Sequence, residues 1–139
     1  MGYKNTLVAV DFADKKMVQK AKKIADSYGA KFSAVYVVEN FPAMAYGNVA
    51  MPGFEDQLVE DAKKRLEKLA KELAVDSKQL HLVIGRSATE ILNVAKKIKA
   101  DLIFLGSHGH SGLGSLLGST ANSIVHNAHC DVLVIRAKE

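Results

Sequence analysis

The 139-residue sequence has one cysteine, two prolines and no tryptophan. A lone thiol, Cys130, cannot close an internal disulfide, so disulfide-stapled secreted scaffolds are excluded. Both prolines fall within residues 39–53, and no linker, internal repeat or low-complexity tract divides the chain. No apolar run approaches the roughly 20 residues of a membrane span, and no N-terminal apolar run carries a small-residue cleavage pattern; a protein of the reducing cytoplasm is expected. One domain, residues 1–139, is also expected, large enough to bury about two-thirds of the surface its unfolded chain exposes. The excess of one charge sign is likewise small. Nineteen Lys and Arg stand against 15 Asp and Glu, for a net +4. That mild basicity suits a solvated surface, and specific nucleic-acid binding is not expected.

Several catalytic signatures are missing as well. There is no G-x4-G-K-[S/T] phosphate loop and no G-x-S-x-G elbow. The segment after the first apolar run, VAVDFAD, lacks the glycines of the dinucleotide-binding fingerprint. His108-x-His110 and His126-x2-His129 have no carboxylate or cysteine cluster near them in sequence to complete a metal site. Cys130 is read as a small apolar residue rather than a reactive thiol, since nothing adjacent clearly stabilises a thiolate.

The most informative stretch present is Asp101 to Thr120, DLIFLGSHGHSGLGSLLGST. Leu102 to Leu105 is continuously apolar, as expected of a strand covered on both faces. Gly106 ends it, and Gly109, Gly112, Gly114 and Gly118 lead to Ser119-Thr120. Glycines let main-chain N–H groups approach a ligand with no Cβ in the way. Ser119 is then expected to N-cap the helix that follows. A strand, a glycine loop and a helix N-terminus together suit phosphate, because unpaired N–H groups and the positive end of the helix dipole converge.

Around this stretch the pattern alternates. Thr6–Val10 reads as a strand. Residues 14–28 read as a helix with Met17, Ala21, Ile24 and Tyr28 on one period, closed by Gly29. Lys31–Val38 is a second strand, and residues 39–53 are a long connection carrying Phe41, Met44, Tyr46 and Met51, which either shield a ligand or cover the core edge or a subunit contact. Residues 54–74 form the most periodic helix, with Phe54, Leu58, Ala62, Leu66, Leu69 and Leu73 inward. His81–Ile84 is a third strand ending at Gly85, and Ser87 to Glu90 reads as a capping box opening the helix 88–99. After the central strand and loop come a helix near 120–128 and a last strand, Asp131–Arg136. Five strands alternating with four helices imply parallel pairing through right-handed crossovers. The fold class is therefore α/β, an open five-stranded parallel sheet with helices on both faces. Ligands of such sheets sit where strand order reverses. Asp11 ends strand one and the glycine loop follows strand four, so the economical order is 3-2-1-4-5. Strand five is then an apolar edge, Val132 to Ile135, which a homodimer would cover.

These residues resemble the universal stress protein family over essentially the whole chain. The carriers are VAVD (Val8–Asp11), YVVE (Tyr36–Glu39), the turn at Gly85, and LGSHGHSGLGSLLGST followed by CDVLVIR. The resemblance implies a Rossmann-like α/β sheet and a homodimer through the last strand. It also implies, for one branch, ATP binding through a G-x2-G-x9-G-[S/T] pattern. Gly106, Gly109, Gly118 and Ser119 match its ends, while only eight residues, His110–Leu117, lie between the second and third glycines. By resemblance, Asp11 would hold the adenosine part, Val37 would meet adenine through its backbone, and Ala9, beside Val10, would line the base pocket. Leu105 and Gly106 would lie against ribose with His108 just beyond, and Gly109, Ser119 and Thr120 would contact phosphates, with a divalent cation such as Mg2+ as a further component. The shorter loop leaves open a branch that does not bind ATP and acts through protein partners. A more remote reading takes Ser107-His108-Gly109-His110 as similar to a nucleotidyl transferase signature; those enzymes carry it after strand one, whereas here it follows strand four.

Overall fold

The computed structural model describes residues 2–39, 54–107 and 118–136. The expectations for Phe41, Met44, Tyr46 and Met51, and for His108, Gly109, His110, Gly112 and Gly114, lie outside the described residues. The elements run β1 (Asn5–Ala9), α1 (Lys15–Ser27), β2 (Lys31–Glu39), α2 (Phe54–Leu73), a 3-10 turn (Ser77–Gln79), β3 (Leu80–Gly85), α3 (Ser87–Ile98), β4 (Leu102–Gly106), α4 (Ser119–Asn127) and β5 (Asp131–Ile135). All strand pairings are parallel, and the order is β3-β2-β1-β4-β5, as the alternation and the position of the glycine loop predict.

Strand periodicity divides the core into two layers. From β1, Val8 joins Met17, Val18, Ala21 and Ala25 of α1 and Leu66 and Leu69 of α2 on one face. Leu7 joins Ile91, Val94 and Ala95 of α3 and Ala121 and Ile124 of α4 on the other. The continuous run in β4 is explained by this double cover, since Phe104 faces the first layer and Ile103 and Leu105 the second. Thr6, fully buried on β1, satisfies its hydroxyl by donating to the Lys31 carbonyl at 2.8 Å.

The opposite end of the sheet is tied by side chains. The Asp101 carboxylate accepts the main-chain N–H groups of Lys4 at 2.9 Å and Asn5 at 3.1 Å, which aligns the starts of β4 and β1. The Tyr3 hydroxyl donates to Asp131 at the start of β5 (2.7 Å), and that bond leads the causes holding the phenol above its usual range.

Three local expectations need correction. Tyr28 is not part of the buried stripe of α1. It occupies the C-cap, half exposed, with its ring edge-on to Tyr3 at 5.3 Å, while Gly29 takes the left-handed conformation (φ 64°) that ends the helix. The capping box does not form, because α3 begins one residue early. Arg86 is the extended N-cap residue, the Glu90 N–H bonds its carbonyl at 2.9 Å, and the Ser87 hydroxyl is drawn to the Glu39 carboxylate at the end of β2. Ser119 is not an N-cap either. Gly118 holds that position in an extended conformation, its N–H bonded to the Ser107 carbonyl at 3.2 Å and its carbonyl accepting the Asn122 N–H at 2.9 Å. That tether to the end of β4 makes Ser119 the first helical residue.

Candidate functional site

The sheet opens where its order reverses. β1 and β4 pair only from Thr6↔Leu102 to Val8↔Phe104. Beyond that point Val10 donates its N–H to the Val35 carbonyl of β2 (2.8 Å), whereas β4 stays with β5 as far as Gly106↔Ile135. Two strands held to outer neighbours must part, and a crevice at their carboxyl ends is the geometric consequence. It holds a cavity of about 880 Å3, within the size range of small-molecule sites.

The walls come from separate parts of the chain. Ala9 arrives from β1 and Val10 and Asp11 from the turn just after it, Val37 from β2, Leu105 and Gly106 from β4, and Gly118, Ser119 and Thr120 from the start of α4. The structure thus brings together nine of the residues singled out from sequence; the other two, His108 and Gly109, lie outside the described residues. Asp11 is held by its own turn: one carboxylate oxygen accepts the Ala13 N–H at 2.9 Å, and the Asp11 carbonyl accepts the Asp14 N–H at 3.0 Å. Asp14 then caps α1 by accepting the Met17 N–H at 3.2 Å. The carboxylate of Asp11 is acceptor-only and lines the cavity, so it suits hydroxyl or amino donors of a ligand. Across from it, the first-turn N–H groups of α4 have no intrahelical acceptor and carry the positive end of the dipole, which suits an anion.

Other lining residues were not singled out from sequence. Phe12 follows Asp11 and packs its ring on Tyr36 of β2 at 4.5 Å. Glu39 lines the cavity from the end of β2, joined to Ser87. Arg65 reaches the same space from α2, its guanidinium 5.8 Å from the centre of the Phe12 ring. A strand-end carboxylate is a readable signal, and Glu39 shares it with Asp11. Arg65 has none, being one of five Lys and Arg along α2.

Among the described residues no three His, Cys, Asp or Glu side chains cluster as metal ligands, and His126 and His129 are exposed. Cys130 packs against the α3–α4 layer; burial, then the charges of Asp131 and Asp101, push its thiol up and keep it protonated at neutral pH. Among the described residues no helix is long and apolar enough to cross a membrane.

Fold and cavity together define a doubly wound α/β protein with a ligand crevice at its topological switch point. Residues 2–136 match the universal stress protein family. Universal stress protein A homolog 2 of Coxiella burnetii is 39% identical over 98% of this chain and 97% of its own length. Among solved structures, the universal stress protein UspA from Lactobacillus plantarum superposes with a TM-score of 0.73 at 27% identity, covering 98% of this chain and 99% of that one. A universal stress protein solved in complex with cAMP superposes with a TM-score of 0.63 at 21% identity, over 99% of this chain and 100% of that one. This chain belongs to the universal stress protein family.

Proposed function

We propose that the protein binds ATP or a related adenine nucleotide and acts as a single-domain homodimer in cytoplasmic stress signalling. The observation carrying this reading is the convergence, in one crevice, of the Asp11 carboxylate, the Val37 strand end and the N-terminus of α4. Those three supply what a nucleotide needs: an acceptor for ribose hydroxyls, main-chain groups for the base edge and oriented N–H dipoles for phosphate. The cAMP complex of a protein with the same fold supports the ligand class. Ala9, Val10, Leu105 and Gly106 would enclose the nucleoside, and Gly118, Ser119 and Thr120 the phosphates, with Mg2+ held by the phosphates beside the two hydroxyls. The sequence has no phosphate-loop lysine, so turnover at the site would be slow at most. Dimerisation is supported by β5, which pairs with β4 on one side and leaves Leu133 36% exposed at the sheet edge.

Calorimetric titration of nucleotide-free protein with magnesium ATP, with AMP and GTP as controls, tests the reading. Saturable binding that favours ATP over both is the expected result. No heat and no thermal shift at millimolar ATP would overturn it and select the partner-binding branch, which the eight-residue spacing from His110 to Leu117 favours.

A further inference from the structure

A second cavity, of about 340 Å3, adjoins the first and shares Phe12, Tyr36, Val37, Glu39 and Arg65 with it; Asp61 of α2 lines its far side. Arg65 is the one cation among the described residues lining either cavity. Two carboxylates border the same space, each with one protein donor and acceptor positions to spare: Glu39 accepts from Ser87, and Asp61 accepts from the Gln57 amide at 3.1 Å. Among the described residues Arg65 forms no ion pair. Its guanidinium lies 5.8 Å from the centre of the Phe12 ring, which packs on Tyr36 at a 38° tilt, and its N–H donors, without an acceptor among the described residues, are open to a ligand.

Position decides what that is. Val37, the residue expected to meet the base, borders both cavities, whereas Gly118, Ser119 and Thr120 border only the larger one. The smaller cavity therefore lies at the base end of the crevice, away from the phosphate end. We infer that Arg65 is a base-reading residue, and that the Phe12–Arg65 layer with Glu39 and Asp61 forms a compartment for the edge of an aminopurine. This rests on the adenine-nucleotide reading above. A guanidinium only donates and a carboxylate only accepts. The pair thus complements an edge that presents a ring-nitrogen acceptor next to an exocyclic amine.

The test is calorimetric titration of the full chain and its Arg65→Met and Arg65→Lys variants with adenosine, AMP and ATP. Arg65 is exposed, and thermal unfolding of both variants checks that the fold is kept. The expected result is a loss of roughly tenfold, equal for all three ligands and nearly as large in Arg65→Lys, because an ammonium lacks the planar fork. A loss that grows with phosphate number, or recovery of affinity in Arg65→Lys, would make Arg65 a phosphate ligand and overturn the inference. Unchanged affinities in both variants would also overturn it while leaving the adenine-nucleotide reading intact. A wild-type protein that binds none of the three ligands would instead sink that reading, and this inference with it.

Discussion

Asp11 carries two roles that substitution can separate. One carboxylate oxygen accepts the Ala13 N–H and shapes the turn into α1, while the group also faces the cavity. Asp11→Asn retains an oxygen for the Ala13 N–H but loses the charge and replaces the second acceptor by a donor. Asp11→Ala loses both. A hydrogen bond from a ligand hydroxyl to a carboxylate contributes about 1.5–3 kcal/mol, so both variants should weaken magnesium ATP by roughly 10- to 150-fold. Stability should part them. The turn bond contributes about 1 kcal/mol, which for a chain of this size lowers Tm by roughly 4 °C in Asp11→Ala, whereas Asp11→Asn should unfold within about a degree of wild type. Calorimetry and thermal unfolding read the two effects independently. Wild-type affinity in a folded Asp11→Asn would refute the assignment of the carboxylate to the ligand. An equal fall in Tm for both variants would refute the division of its roles.

Three further outcomes follow from named contacts. Phe104, fully buried with its ring 6.2 Å from that of Phe32, should cost about 3–5 kcal/mol on truncation to Ala, read as a lower urea midpoint; a loss below about 1 kcal/mol would mean that the core collapses onto the gap. Burial, and secondarily the Lys97 ammonium, hold the His81 imidazole below its usual range. The unfolded chain therefore takes up that proton first as pH falls below about 6.5, so stability should be flat above that value and decline on acidification through the lower folded value. His81→Gln should flatten this decline in urea titrations between pH 7.5 and 5; an identical slope would assign it to other groups. Leu133→Asp places a charge on the half-exposed edge strand and should convert the proposed dimer to monomer in sedimentation without lowering helix content; a persistent dimer would move the interface elsewhere.

How much of this was legible in the chain depends on the range of the interaction. The five strands, the four helices and their alternation come from patterns that repeat within a few residues. The unbroken apolar run Leu102–Leu105 announced a strand covered on both faces, and both of its faces are buried. Strand order was legible too, since a glycine loop after strand four and Asp11 after strand one serve a single crevice only if those strands are neighbours. Caps were not. Ser87 and Ser119 carry the right side chains at the right spacing, but the start of each helix is set by where the preceding strand releases the chain. The Glu39 carboxylate captures the Ser87 hydroxyl across 48 positions, and Gly118 is fixed by the Ser107 carbonyl.

The chain by itself determined which residues stand at the carboxyl ends of strands, because hydrophobic periodicity and glycine chemistry are local. Only tertiary structure decided how wide the crevice is and what else enters it. Its width follows from Val10 bonding outward to β2 while Gly106 stays with β5, a competition among main-chain partners that no side chain encodes. Arg65 is the plainest case. In sequence it is one cation on a charged helix face; packing α2 over β2 brings its guanidinium to 5.8 Å from the centre of the Phe12 ring, and that long-range contact is what gives it a place in the site.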